Sequence, residues 1–286
     1  MAELRILENN HTFYGYEFGD RTLPTLVCLH GMTSDANSFN ALVRFLTRDF
    51  HLILLDLPGH GRTEAYNEEK DYLFSSVAKR IDKVLNQVAT KPLYILGHSW
   101  GADLSLHYAK AFPEKVKGIV LIDGGYVFPE QVEGLTLEKA VLDWDEYIDS
   151  SRYQSWEDVV KDYQGYITKK WDINLDSIIH SNFNNINGEY VLRADKFSLL
   201  STVKAFYKEP SSTTYEDIQC PVLMLHATVP EIDPSRDRGL HTIKKSINNI
   251  KVIGIENTKH NIHWDDPQEV AEKLLLWKQQ IEKNIE

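Results

Sequence analysis

Cysteine is scarce in this chain: 286 residues contain two, Cys28 and Cys220. A framework of several disulfides is therefore excluded. Both thiols lie in apolar runs, Leu26-Val27-Cys28-Leu29 and Cys220-Pro221-Val222-Leu223. Buried, reduced thiols and a reducing, cytoplasmic compartment are expected. Positive charge is also in deficit, with 31 Lys and Arg against 42 Asp and Glu and a net charge of -11. That balance argues against nucleic acid or an anionic membrane surface as a partner. Long hydrophobic runs are missing: none approaches the roughly 20 residues a spanning helix needs. No apolar stretch of secretory-signal type follows Met1-Ala2-Glu3-Leu4-Arg5, so none is expected. Internal repeats and low-complexity tracts are absent too, which sets aside solenoids and biased linkers.

What is present is an alternation. Short apolar runs occur at Thr25–Leu29, Leu52–Leu55, Leu93–Leu96, Gly118–Ile122, Val222–Leu225 and Ile250–Ile255. Most are apolar on consecutive residues, the pattern of strands covered on both faces. Helical periodicity lies between them, as in Val77-Ile81-Val84-Leu85-Val88 and Val270-Leu274-Trp277-Ile281. This predicts a mostly parallel sheet with helices on both faces. Leu4 to Phe18 alternates more loosely and predicts an antiparallel hairpin at the sheet edge. The alternation breaks between about Val127 and Tyr215. There no strong strand run is visible, helical segments are expected over Thr136–Asp149 and Trp156–Lys170, and nearly half of all aromatic residues collect. An inserted helical subdomain is the natural reading, with some of its aromatics facing an apolar cleft.

The third strong run leads into Gly97-His98-Ser99-Trp100-Gly101, a G-x-S-x-G pentapeptide followed by apolar residues at helical spacing. Strand, sharp turn and helix form the setting of a nucleophile elbow, in which a strained turn projects the serine hydroxyl away from the sheet. A serine hydroxyl is a weak nucleophile alone. It needs a base, a group that orients the base, and donors for the developing oxyanion. The loop after Ile250–Ile255 holds two histidines, His260 and His263, and His260 is the expected base. An H-x-x-H pair can bind metal, but no further Cys/His cluster accompanies it, so neither a metal nor another cofactor is expected. The backbone N–H of Trp100 and that of Met32, in Leu29-His30-Gly31-Met32, are the expected oxyanion donors.

Taken together, Leu29-His30-Gly31-Met32, Asp56-Leu57-Pro58-Gly59-His60-Gly61-Arg62-Thr63, Gly97-His98-Ser99-Trp100-Gly101 and Lys259-His260-Asn261-Ile262-His263-Trp264 resemble the α/β-hydrolase superfamily over most of the chain. The resemblance implies an eight-stranded, mostly parallel sheet with a helical cap after the sixth strand. Residues 1–126 and 216–286 would form the core and 127–215 the cap. It also implies Ser99 and His260 as catalytic residues, with Met32 and Trp100 supplying the oxyanion hole.

The orienting acid departs from the family pattern. The usual place is a His-Gly-x-x-Asp-like loop past the seventh strand. Here that loop reads His226-Ala227-Thr228-Val229-Pro230-Glu231-Ile232-Asp233, with proline at the expected Asp position. Glu231 and Asp233 are nearby alternatives. Some members carry the acid at the end of the sixth strand, where this chain has Asp123. Asp123 and Glu231 therefore compete, with Asp233 third.

The function expected is a serine hydrolase that cleaves a small carboxylic ester, with an apolar or aromatic portion, through an acyl-enzyme. Lactonase, thioesterase, amidase or carbon–carbon bond hydrolase chemistry would use the same triad. A receptor that binds a small ligand without turnover is the alternative of another class. Oligomeric state is not encoded in any motif.

Overall fold

The computed structural model describes residues 1–127, 129–230 and 234–283. Eight strands form one sheet: β1 (Ala2–Glu8), β2 (His11–Phe18), β3 (Thr25–Leu29), β4 (His51–Leu55), β5 (Leu93–His98), β6 (Val116–Ile122), β10 (Val222–Ala227) and β11 (Ile250–Ile255). Their spatial order is β1-β2-β4-β3-β5-β6-β10-β11. β1 pairs antiparallel with β2, and β2 antiparallel with β4; every other neighbouring pair is parallel. The expected edge hairpin and parallel core are thus both present.

Burial along the strands follows from position in this order. β3, β4, β5 and β10 are buried at every residue. β1, at the edge, is buried only at alternate residues. Consecutive core residues point to opposite faces. Val27, Ile53, Ile95, Ile119 and Met224 pack on one face with α2 (Phe74–Val88), α3 (Trp100–Ala111) and α8 (Pro234–Ser246). Leu26, Leu52, Leu96, Val120 and Leu225 pack on the other with α1 (Asn40–Leu46) and α10 (Pro267–Lys283). α2 buries Val77, Ile81, Val84 and Leu85, and α10 buries Val270, Leu274, Trp277 and Ile281, the two stripes legible in the sequence. Burying each such side chain contributes roughly 1.5–3 kcal/mol. Cys28 and Cys220 are both buried free thiols.

Between β6 and β10 the chain forms α4 (Leu137–Ser150), α5 (Trp156–Tyr163), α6 (Ile173–His180) and α7 (Lys196–Lys208). The helix expected over Trp156–Lys170 is shorter: α5 gives way to a 3-10 turn at Gln164–Tyr166, around Gly165. The same segment contains strands where none was expected: β7 (Arg152–Tyr153), β8 (Phe183–Ile186) and β9 (Glu189–Leu192) form a second, three-stranded antiparallel sheet in the order β7-β9-β8. Strands of two to four residues are too short to stand out as apolar runs. The visible signal was the turn: Asn187 and Gly188 link β8 to β9 with φ of 55° and 91°. An Asn-Gly pair of positive φ is the favoured two-residue hairpin loop. Tyr163, Phe183, Ile178 and Trp264 share a separate cluster of buried side chains there. No helix among the described residues is long and apolar enough to cross a membrane.

Candidate active site

The residues singled out in the sequence gather at the carboxyl ends of the parallel strands. His30 follows β3, Ser99 follows β5, Asp123 follows β6, and His260 lies in the loop after β11. In open α/β sheets this edge is where ligands bind, because strand ends and helix N-termini leave free backbone groups there.

Ser99 has φ 52° and ψ -122°, outside the regions ordinary residues occupy. Such strain costs about 1–3 kcal/mol and persists only when the surroundings enforce it. They do so here. Ser99 N–H donates to Ile122 O (3.0 Å), and Ala102 N–H donates to Ser99 O (2.8 Å). A Cβ on Gly97 would overlap the Gly101 carbonyl oxygen, and one on Gly124 would come 2.6 Å from Ser99 Cα. The flanking glycines therefore permit the close approach of strand and helix. Gly124 is a further elbow glycine, drawn from the end of β6, that the pentapeptide does not reveal.

Peptide geometry aims the loop after β3. His30 is fully buried; Leu57 N–H donates to its Nε2 (3.0 Å), and its Nδ1–H donates to Gly31 O (2.8 Å). Ser34 N–H also donates to Gly31 O (3.3 Å). In a trans peptide the N–H points opposite the carbonyl. Holding Gly31 O thus turns the Met32 N–H the other way. A Cβ on Gly31 would sit 3.0 Å from Ser99 Cβ, so this loop lies against the serine. Among the described residues, neither the Met32 nor the Trp100 N–H donates to a backbone carbonyl. Burial keeps His30 neutral, lowering its pKa to about 4.

His260 Nδ1–H donates to Asp123 Oδ2 at 2.8 Å. With the hydrogen on Nδ1, Nε2 carries a lone pair. About half of the His260 side chain is exposed, while Asp123 keeps 6%. Burial opposes ionisation of Asp123, but it is outweighed by the bond to His260 and the charges of His260 and Arg236. A bond from the Ala227 N–H adds to these, and the pKa falls to about 2. Asp123 Oδ1 accepts from Tyr126 OH (2.8 Å), Ala227 N–H (3.1 Å) and Arg236 Nη2 (3.2 Å). Arg236 also donates to Tyr126 OH and Ala227 O. Asp123 itself has φ 40°. Tyr126 and Arg236 were not anticipated. Tyr126 lies three residues past Asp123 and was within reach of inspection; Arg236 arrives from α8 and left no local signal. Glu231 and Asp233, the competing acids, lie outside the described residues.

Two further histidines buttress this side. His98 Nε2–H donates to the His260 carbonyl (3.1 Å), and its ring lies 4.5 Å from that of His263. His263 is fully buried and bonds Ser38 Oγ through Nε2 (2.8 Å). Burial, reinforced by neighbouring histidines, lowers the pKa of His98 well below the ordinary value and that of His263 to about 3. His263 thus packs beneath the site. Among the described residues, no group of three His, Cys, Asp or Glu side chains is arranged to hold a metal.

Ser99 and His260 share the wall of a cavity of about 490 Å³, which also touches Met32. Among the described residues no hydrogen bond joins Ser99 to His260. Aromatic rings dominate the rest of the wall: Trp144, Tyr147, Tyr163, Tyr166, Phe206 and Trp264. All but Trp264 come from the segment between β6 and β10.

A strained serine after a central parallel strand, facing a histidine–aspartate pair, defines a class of fold and site. The chain belongs to the α/β hydrolase fold family, whose sequence profile matches residues 24–267, and it is a hydrolase of that family. It is similar to a serine hydrolase-like protein of Mus musculus, 25% identical over 283 residues, with 89% of this chain and 88% of that protein covered. It is also similar to the (E)-2-((N-methylformamido)methylene)succinate hydrolase of Acinetobacter baylyi, 21% identical over 277 residues and covering 95% of each chain. The crystal structure of an E-2-(acetamidomethylene)succinate hydrolase superposes with a TM-score of 0.79 at 19% identity, over 96% of this chain and 97% of that one.

Proposed function

We propose that this protein is a serine hydrolase that cleaves a small, neutral carboxylic ester through an acyl-enzyme. Ser99 Oγ attacks the acyl carbon, and its proton passes to His260 Nε2. Asp123 holds the imidazole in the required tautomer and stabilises the imidazolium. The Met32 and Trp100 N–H groups receive the developing oxyanion. His260 then protonates the departing alkoxide, and a water activated by the same histidine releases the acid and restores Ser99. Residues 127–215 act as a cap over the site.

The observation that carries this reading is the 2.8 Å bond from His260 Nδ1 to buried Asp123, beside a serine held at positive φ. The choice of a neutral ester rests on the cavity wall. The two succinate hydrolases above are named for dicarboxylates, whereas no lysine or arginine appears among the described residues lining this cavity. The apolar, aromatic wall favours an uncharged substrate. Labelling with a fluorophosphonate probe tests the reading. The intact protein should label at Ser99 and release p-nitrophenol in a burst from p-nitrophenyl esters. Ser99→Ala should lose both. An unlabelled, correctly folded protein would sink the proposal.

A further inference from the structure

The aromatic cavity has a polar spot that the esterase chemistry leaves unused. Ser34, just past the oxyanion loop, and Asn182, just past α6, both line it. Both are buried, with 7% and 3% of their surface exposed, and among the described residues neither Ser34 Oγ nor Asn182 Oδ1 has a hydrogen-bond partner. The stretches that carry them adjoin, because α6 packs against the 3-10 turn Ala36–Phe39 that follows Ser34. Buried polar atoms are nearly always paired, and an unpaired one has lost its hydration without compensation. At a cavity wall, rotation about one side-chain bond can turn such an atom toward a ligand.

We propose that Ser34 and Asn182 form a hydrogen-bonding subsite for a hydroxyl group carried by an otherwise apolar substrate. The proposal rests on the esterase reading and specifies its substrate class. The Asn182 oxygen only accepts, while the Ser34 hydroxyl donates or accepts. A ligand hydroxyl that donates to Asn182 and accepts from Ser34 satisfies both. A carboxylate is disfavoured, since it cannot donate to the Asn182 oxygen, pairs only if the amide turns its NH2 inward, and finds no cation on the described wall to balance its charge. An ammonium group is disfavoured as well, because the wall carboxylate Asp143 is engaged by Lys139 (2.8 and 2.9 Å).

Matched substrates decide the matter: p-nitrophenyl esters of ω-hydroxy acids of increasing chain length, each against its ω-methoxy counterpart, which keeps the oxygen and loses the donor. At the length that reaches the subsite, kcat/KM should favour the hydroxy ester by about 10- to 100-fold. In Ser34→Ala and in Asn182→Ala that ratio should fall to within about threefold of unity, with fluorophosphonate labelling of Ser99 reporting that each variant is folded. No preference at any length, as water filling the spot would give, overturns the subsite. So does a preference that survives both substitutions. If the wild-type protein neither labels nor turns over any ester, the esterase reading fails separately. Calorimetric binding of the same ester pairs to Ser99→Ala then judges the subsite by the same ratio, and absence of binding counts against it.

Discussion

Asp123 is held by four donors on two oxygens: His260 on one, and Tyr126, Ala227 N–H and Arg236 on the other. That arrangement keeps it ionised despite burial and fixes its direction. It supports the proposal that Asp123 is the orienting acid. Asp123→Asn should therefore lower kcat about 10³- to 10⁴-fold, because an amide cannot select the tautomer or stabilise the imidazolium. Glu231→Gln should change it less than tenfold. Steady-state kinetics on one p-nitrophenyl ester compare the two, and the reverse ranking would transfer the role to Glu231. At this scale the sequence made Ser99 and His260 legible through their motifs. It left the acid undecided, because two carboxylates stood at positions the family uses; the Asp123–His260 contact comes from tertiary packing.

At the scale of elements, long and regularly patterned segments were readable and short ones were not. The parallel strands announce themselves because burial on both faces demands consecutive apolar residues. The small sheet of β7, β8 and β9 does not, since its strands are only partly buried and depend on pairing for their shape. Its one local instruction is Asn187-Gly188. A β-branched residue at the φ of 91° seen at Gly188 is strained. Gly188→Val should cost about 1–3 kcal/mol, read as a lower urea midpoint. A loss below about 0.5 kcal/mol would mean the turn does not direct this hairpin. The segment between β6 and β10 supplies more than half of the residues lining the cavity, so the element least legible in the sequence adjoins the part that would choose the substrate.

For the whole molecule, buried histidines outnumber buried acids whose ionisation is opposed. Burial lowers His30 and His107 to about 4 and His60 and His263 to about 3, with His98 well below the ordinary value. Each favours folding above the unfolded value near 6.5, and that contribution is lost as pH falls toward 4 and 3, because the unfolded chain binds the proton first. Asp103 and Asp35 work in the opposite sense: burial raises them to about 7 and about 6, so their contribution is present below about 4 and lost as pH rises through those values. Five groups against two fix the sign. Stability, measured as the urea midpoint, should fall steeply between about pH 6.5 and 4. A profile that stays level from pH 7 to 5 would contradict this account.

Local patterning in the sequence was enough to read the sheet, its helices and the candidate serine and base. Those depend on local patterning and on a turn whose geometry only certain residues tolerate. Only folding brings Asp123 to His260, sets how Arg236 and Tyr126 hold it, closes the elbow with Gly124, and turns particular aromatics to the cavity. Each of those contacts joins residues brought together by strand order, and strand order is set by the packing of the whole chain.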